Sequence, residues 1–435
     1  MLEKLVSVFG GVEMAGIGNR WGRWSLSVVL AALALVGCIS ALTGTPMPES
    51  APTLSPISTR IVSATPTSVP LPTPTPFPTV APTVKPLPVE LTRGPYLQSV
   101  TQTGVTVDWT TDVPCVSQVD YGETDQYGLT ASNSTPVTRH VVALTGLKPY
   151  THVHYRVTVD NQPLSEDAVF RTAPPPDQAS FRFVVYGDTR SDPVAHQKVV
   201  NSILTLSPDF LLHTGDFVQD GLVAEGWTTF FSVERKLLSQ SPLYGVLGNH
   251  ERESPIYFDV FHFPGNERWY SFDYGNLHLV ALQMDSQGGF NANSEQARWL
   301  ASDLAQTRQP WKIVFFHVPP YSSGEHRGDE QIRAALEPIL IKYHVDLVFN
   351  GHDHDYERLM TKGVVYIVSG GGGAPLYRQT LTEPASAYFT NTYHSVLVQV
   401  NGLQINIAGV RTDGARFDEF ALRKTSPDAP AEVVK

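Results

Sequence analysis

Residues 181–190 read Phe-Arg-Phe-Val-Val-Tyr-Gly-Asp-Thr-Arg, an apolar run that ends in glycine and aspartate. The run from Phe181 to Tyr186 is typical of a buried strand. Asp188 therefore follows the end of a strand, which is where α/β proteins place their chemistry. Four later segments repeat this arrangement. They are Gly215-Asp216, Gly248-Asn249-His250-Glu251, His317 after an apolar run, and Gly351-His352-Asp353-His354.

The five segments share one set of donor atoms. They offer carboxylate and amide oxygens and imidazole nitrogens, and none of them contains cysteine. Such donors suit a pair of divalent or trivalent cations better than a structural zinc. The set therefore predicts a metal-dependent enzyme.

Around these segments, strand-like runs alternate with helical patterns, which predicts an α/β (α+β) fold. We expect a catalytic domain over residues 178–423, built from two mixed β-sheets packed face to face between layers of helices, with a tail at 424–435. The predicted strands are Phe181 to Tyr186, Phe210 to His213, Leu243 to Leu247, Leu277 to Gln283, Lys312 to Phe316, Leu347 to Phe349, Val364 to Val368, Ser395 to Val400 and Gln404 to Ala408. The predicted helices are Ser294 to Thr307, with Ser294 as N-cap, and Gln331 to Tyr343.

Residues 91–173 show a different pattern. Apolar and polar positions alternate in short bursts such as Val105-Thr106-Val107-Asp108-Trp109, with turn residues between them, and this predicts an all-β sandwich. The prolines of Ala173-Pro174-Pro175-Pro176 mark its boundary, since they neither continue a strand ladder nor begin a helix comfortably. Cys115 in this region is expected to be a buried or edge thiol without a disulfide partner.

The start of the chain resembles a bacterial lipoprotein signal peptide, residues 1–38. Arg20 and Arg23 precede an apolar run that ends in Leu35-Val36-Gly37-Cys38, and the run is shorter than the about 20 residues of a spanning helix. Cys38 would then carry a lipid anchor, and the protein would be an extracytoplasmic, membrane-anchored lipoprotein. A plain secretory signal, an uncleaved anchor and a translation start at Met14 are the alternatives.

Residues 39–90 are dominated by proline, threonine and serine, as in Pro72-Thr73-Pro74-Thr75-Pro76. Such a segment has no means of forming a packed core, and it predicts a disordered, extended stalk. The chain of 435 residues carries a net charge of -11. This acidity argues against nucleic acid as a partner, because binding to the phosphate backbone relies on a basic surface.

In order and spacing, the five segments resemble the calcineurin-like metallophosphoesterases, and most closely their purple acid phosphatase branch. Gly94-Pro95-Tyr96-Leu97 resembles the opening of the sandwich domain in that branch, and the turn at Leu144 to Thr151 is similar to that of fibronectin type III sandwiches. The resemblance implies two metal ions that share Asp216. Asp188 and His354 would complete the first site, and the second would be completed by three further residues, namely Asn249, His317 and His352.

The same resemblance implies roles for two more histidines. His250 would hydrogen-bond a phosphate oxygen or donate a proton to the leaving group, a task that suits an imidazole with a pKa near neutrality. His326 matches a histidine that contacts substrate. Arg327 beside it is suited to pair with an anionic substrate. Tyr356-Glu357-Arg358 resembles a family segment that supports the turn carrying His352 and His354.

Two positions depart from the family pattern. Gln219 stands where purple acid phosphatases carry the tyrosine that ligates ferric iron, so the protein is expected not to be purple. Arg190 stands where many other metallophosphoesterases carry a histidine ligand. The first metal site would therefore lack one strong ligand, which Gln219, water, His196 or His213 would supply. Arg190 would hold a phosphate oxygen or form a structural salt bridge.

The function implied is hydrolysis of a phosphoester by a metal-bound hydroxide, with iron, manganese or zinc in a dinuclear centre. The expected reaction is that of a phosphatase of the purple acid phosphatase type. A phosphodiesterase or nucleotidase of the same fold is an alternative. A non-catalytic surface binding protein is the alternative from another class.

Overall fold

The computed structural model describes residues 89–178, 180–284 and 290–434, and all of them belong to one structural unit. The expected signal peptide, the lipid-anchored Cys38 and the proline-rich stalk up to residue 88 lie outside the described residues. Within the described residues, every helix is too short or too polar to cross a bilayer.

Between residues 89 and 178, the regular secondary structure consists of strands, with no helix. Strand β2 is long enough to pair with β1 along its first half and with β4 along its second half, while β3 follows it on the other side. All six strands are thereby connected by hydrogen bonds, and the resemblance to fibronectin type III sandwiches stays a prediction. The strands are β1 (Leu91–Gln98), β2 (Gly104–Gly122), β3 (Leu129–Thr145), β4 (His152–Val159), β5 (Gln162–Pro163) and β6 (Ala168–Arg171).

Residues 180–284 and 290–434 contain two seven-stranded mixed sheets, which confirms the predicted fold class. One sheet has the order β10-β11-β12-β13-β15-β14-β16 and the other the order β20-β19-β18-β17-β7-β8-β9. Their strands are β7 (Ser180–Tyr186), β8 (Phe210–His213), β9 (Leu243–Gly245), β10 (Tyr270–Tyr274), β11 (Leu277–Ala281), β12 (Trp311–Phe315), β13 (Leu347–Asn350), β14 (Tyr356–Thr361), β15 (Val364–Ser369), β16 (Ser386–Thr390), β17 (His394–Asn401), β18 (Gln404–Arg411), β19 (Arg416–Arg423) and β20 (Glu432–Val434).

The described residues contain five helices beside the sheets, and four of them begin at a side-chain cap. The side chains of Asp192, Ser254, Ser294 and Asp329 each accept a hydrogen bond from at least one backbone N–H of the first helical turn. Such caps satisfy donors that the helix itself leaves unpaired. The helices are α1 (Pro193–Leu206), α2 (Ala224–Leu238), α3 (Pro255–Val260), α4 (Glu295–Gln306) and α5 (Glu330–Lys342).

The alternation of side chains along each strand separates two hydrophobic cores. Leu279 and Ile313 belong to a core that also contains residues of the sheet with β7 and β17. Val280 and Val314 belong to a second core, which contains residues of α4 and α5. The N-terminal strands share the first core, and the Tyr96 hydroxyl of β1 donates to the carbonyl of Val260 in α3 over 2.7 Å.

Candidate metal centre

The motif residues follow the carboxyl ends of strands in both sheets. Strands β7, β8 and β9 run parallel to one another, as do β12 and β13. Parallel strands end at the same edge of a sheet, so the loops after them meet there. The residues delivered are Asp188 after β7, Asp216 after β8, Asn249 after β9, His317 after β12, and His352 and His354 after β13.

Three of these residues adopt a backbone conformation that non-glycine residues seldom use. The φ angles are 56° at Asp188, 56° at Asp216 and 71° at His352. Left-handed conformations of this kind carry a cost in free energy and cluster at functional sites. Close packing adds a second constraint, because a Cβ on Gly248 would lie 2.2 Å from Asp216 Oδ1 and one on Gly351 would lie 2.4 Å from Asp188 Oδ2.

The first candidate site is formed by Asp188, Asp216 and His354, all of them buried. One ligand atom from each lies within 4.8 Å of the others. His354 Nδ1 donates to the carbonyl of Pro375 over 2.7 Å, so its Nε2 presents a lone pair 3.6 Å from Asp188 Oδ1. A backbone partner of this kind sets the tautomer that a metal-ligating imidazole needs.

The second candidate site is formed by Asn249, His317 and His352 beside Asp216. Asn249 Oδ1 lies 3.0 Å from both His317 Nε2 and His352 Nδ1, and these two nitrogens are 3.2 Å apart. His317 Nε2 is also 3.4 Å from Asp216 Oδ1. Because His317 Nδ1 donates to the carbonyl of Thr214, Nε2 carries its lone pair toward the site.

The charges of the two sites favour a bound cation. Burial and the neighbouring Asp216 carboxylate raise the pKa of Asp188, whereas at Asp216 burial is outweighed by His317 and His250, which lower the pKa. Burial lowers the pKa of His354 to about 4, and burial together with His317 lowers that of His352 to about 2. A neutral imidazole is the form of histidine that binds a metal, and a cation relieves the repulsion between neighbouring carboxylates. The donor set therefore fits two cations that share Asp216.

His250 lies beside the shared carboxylate. Its backbone N–H donates to Asp216 Oδ1 over 3.0 Å, its Nδ1 donates to the carbonyl of Gln219 over 2.6 Å, and its Nε2 is 3.8 Å from Asp216 Oδ2. The ring is partly exposed, with 23% of the side chain accessible. It is thus fixed at the edge of the centre and open to an incoming molecule.

Glu251 connects two loops of the site, a role that sequence reasoning did not predict. Its buried carboxylate accepts hydrogen bonds from the backbone N–H groups of Asp216, Phe217 and Gly248 over 2.7–2.9 Å. Burial and the charge on Asp216 raise its pKa to about 8, while the backbone donors favour the ionised form. Glu251 thereby joins the loop after β8 to the loop after β9.

His326 lies against the second site, and the carboxylates of Asp353 and Glu357 hold the loop that carries it. Its ring centroid is 4.4 Å from that of His352. Asp353 Oδ1 accepts from the backbone N–H of His326 over 2.8 Å, and Glu357 accepts from the backbone N–H and the hydroxyl of Ser323, each over 2.6 Å. The loop that carries His326 is therefore anchored to the segment that carries His352 and His354.

Tyr377 is a further residue that sequence reasoning missed, since it lies in no motif. Its ring stacks on His354 with centroids 4.0 Å apart and faces His326 at 5.3 Å. Burial raises the pKa of its hydroxyl, and the nearby Arg190 guanidinium opposes that rise. It therefore forms part of the wall of the first site.

Arg190 takes the salt-bridge alternative in this structure. Its Nε donates to Asp216 Oδ2 over 3.1 Å, and it also contacts His354 and the side chain of Gln219. Gln219 thus faces Arg190. Holding a substrate phosphate stays a prediction for Arg190.

The two histidines considered for the gap in the first site have other partners. His196 Nε2 bonds to Glu234 over 2.7 Å, and His213 Nε2 lies 3.2 Å from the Thr189 hydroxyl while its ring stacks on Phe217. Both side chains are buried in the layer behind the centre. Neither side chain belongs to the cluster of Asp188, Asp216 and His354, so metal ligation by His196 or His213 stays a prediction that these contacts do not support.

The two sheets face each other, and aspartate, asparagine and histidine side chains cluster around Asp216 at their strand ends. This arrangement is that of a metallophosphoesterase. Residues 181–356 match the family described as calcineurin-like phosphoesterase. Among curated proteins, the chain is 32% identical over 303 residues to purple acid phosphatase 21 of Arabidopsis thaliana, covering 61% of this chain and 67% of that protein. It is also 31% identical over 291 residues to purple acid phosphatase 15 of the same plant, covering 54% of this chain and 53% of that protein.

Among solved structures, purple acid phosphatase PPD1 of yellow lupin superposes with a TM-score of 0.66 at 20% identity, covering 76% of this chain and 74% of that one. The chain therefore belongs to the purple acid phosphatase family, and enzymes of this type use a dinuclear metal centre. It spans between about half and two thirds of the length of the curated relatives reported above.

Proposed function

We propose that the protein is a metal-dependent hydrolase of phosphoesters. The observation that carries the proposal is the convergence of six ligand-like side chains on two adjacent positions that share Asp216. When bound there, two cations would activate water and screen the negative charge of a phosphoryl group. Iron, manganese and zinc all accept this mixed set of oxygen and nitrogen donors.

The residues around the centre have separate tasks in such a reaction. His250 is placed at the edge of the centre with one nitrogen directed toward it, and it would hydrogen-bond a phosphoryl oxygen or hand a proton to the leaving group. His326 lies beside the second site and would contact the substrate from the opposite loop. Asp353 would keep that loop in place.

A cleft next to His326 and His352 would receive the leaving group. Its volume is about 590 Å³, and its lining is mixed: Phe290 and Val318 are apolar, whereas Arg327, Asp329 and Glu330 are charged. A cleft of this size is typical of sites for small molecules. The substrate class we propose is a small phosphoester.

The test compares the wild-type chain with Asp216→Asn, each supplied with Mn²⁺, for hydrolysis of an aryl phosphate and of a bis-aryl phosphodiester. Asp220→Asn is the matched control, because Asp220 lies nearby but pairs with Arg252 on the surface. We expect Asp216→Asn to lose activity by about a hundredfold or more, since it weakens a ligand to both cations. Equal activity in the wild type and Asp216→Asn would refute the mechanism.

The two substrates also separate the monoesterase from the phosphodiesterase or nucleotidase alternative by their relative kcat/KM. A chain that binds Mn²⁺ but hydrolyses neither substrate would favour the non-catalytic binding protein.

We also propose that the protein is exported and anchored through a lipid on Cys38. The support is the sequence alone: two arginines, an apolar run and small residues before the cysteine, a pattern typical of a lipoprotein signal. Expression of the full chain in a bacterium with labelled palmitate tests this. Label in the wild type that disappears in Cys38→Ser is expected, and equal label in both would contradict the anchor.

A further inference from the structure

The Arg190 side chain lies on the ligand atoms of the first site. Its Nε donates to Asp216 Oδ2 over 3.1 Å, and its terminal nitrogen lies 3.2 Å from His354 Nε2. The side chain is largely buried, with 12% exposed. One guanidinium thus bridges two of the three residues that form this site.

The lone pair that Arg190 uses on His354 is the one that a metal would use. His354 Nδ1 is committed to the carbonyl of Pro375, so only Nε2 is able to accept a hydrogen bond or bind a cation. Asp216 Oδ2 is likewise the oxygen on the side of the first site, since Oδ1 faces His317 and the His250 N–H. A cation and the guanidinium therefore need the same two acceptor atoms, and their like charges repel.

Several neighbours hold the guanidinium in this place. Its other terminal nitrogen donates to Gln219 Oε1 over 3.0 Å and to the Ser191 hydroxyl over 3.2 Å. Charge-assisted bonds in a planar fork of this kind fix an arginine more firmly than a single contact does. At the second site, by contrast, the atoms of Asn249, His317 and His352 face one another.

We propose that Arg190 competes with the cation for the first site, so that the chain retains one ion at the second site and exchanges the other readily. This inference rests on the proposed function, since it concerns the same pair of sites. It makes Arg190 a residue that sets the occupancy of the centre.

The test measures Mn²⁺ binding to the full chain by equilibrium dialysis with elemental analysis. In the wild type we expect one tightly held ion and a second that binds more weakly. Arg190→Gln and Arg190→Met both remove the charge, and each should tighten the weaker ion by about tenfold or more while leaving the other unchanged. Arg252→Gln is the control, because it removes an equal charge from a nearby surface pair. Asp188→Asn should remove the weaker class alone.

Two results would overturn the proposal. One is equal affinity for both ions in the wild type, and the other is an Arg190 variant that binds like Arg252→Gln. Either outcome leaves the proposed hydrolase intact, because two ions would still be bound. A chain that binds no Mn²⁺ in any of these forms would instead overturn the proposed function together with this inference.

Discussion

Replacing Gly248 with alanine tests whether the loop after β9 must pack directly on the shared carboxylate. Gly248 has no left-handed backbone, so alanine meets no conformational obstacle there. Space is the obstacle, since an added Cβ would lie 2.2 Å from Asp216 Oδ1 and 2.4 Å from the Asp216 backbone nitrogen. A normal contact exceeds 3.0 Å, so either Asp216 or the loop that carries Asn249 must move by about 1 Å.

Such a displacement separates the ligands of the second site. Asn249 Oδ1 and Asp216 Oδ1 lie 3.0 and 3.4 Å from His317 Nε2, and a shift of about 1 Å would disturb both distances. We expect Mn²⁺ affinity and kcat/KM each to fall by about tenfold to a hundredfold. The assays are equilibrium dialysis with Mn²⁺ and hydrolysis of an aryl phosphate.

The matched control is Gly226→Ala in helix α2. A Cβ at Gly226 would come no closer than 3.3 Å to the Val218 side chain, and alanine is the better helix former. Wild-type metal affinity is expected for this control. Gly248→Ala with a metal affinity and kcat/KM within about threefold of the wild type would refute the packing argument.

Three further predictions concern other parts of the structure. Asp353→Asn should lower kcat/KM by about tenfold at unchanged Mn²⁺ content, since it weakens the anchor of the His326 loop; an unaltered kcat/KM would exclude that role. Lys424→Met should lower the free energy of unfolding by about 3–5 kcal/mol in urea titrations, because it leaves the buried Asp346 carboxylate without its cation; a change below about 1 kcal/mol would speak against it. At His278, burial opposes protonation, but hydrogen bonds to Asp273 and Asp303 raise the pKa from 6.5 to about 9. The protonated imidazole therefore stabilises the folded state by at most about 3 kcal/mol. This contribution is complete below pH 6.5 and disappears as the pH rises through 9. His278→Gln should therefore cost more stability at pH 6 than at pH 10, and an equal cost at both would contradict the pairing.

The fold was predictable where apolar runs are continuous. The strand predicted from Phe210 to His213 has those bounds in the structure, and Ser294 caps α4 as expected. Tertiary contacts decided the strand ends that differ. The strand predicted to reach Gln283 ends at Ala281, because the N–H of Gln283 donates to the side chain of Gln296 instead of to a neighbouring strand.

Helices α1 and α2 show the limit of reading periodicity alone. We predicted neither, although Asp192 and Pro193 form a helix start signal and Val199 and Ile203 are buried at helical spacing. The family resemblance, by contrast, is confirmed by the match over residues 181–356 and by the purple acid phosphatase relatives.

At the site, residue types in motifs were visible in the sequence, but contacts between distant segments were not. Arg190 and Gln219 were recognised as departures, yet their mutual hydrogen bond and the place of the guanidinium on His354 depend on how three loops meet. Tyr377 gives no local signal, since nothing in its neighbourhood marks a strand end or a ligand. The partners of His196 and His213 were likewise set by burial against α2 and Phe217.

Anomalous diffraction from crystals soaked in saturating Mn²⁺ tests the central claim most directly, because it locates each ion without assuming a reaction. We expect two peaks in contact with Asp216, one also touching Asp188 and His354 and the other touching Asn249, His317 and His352. Peaks elsewhere, or none at these residues, would contradict the account.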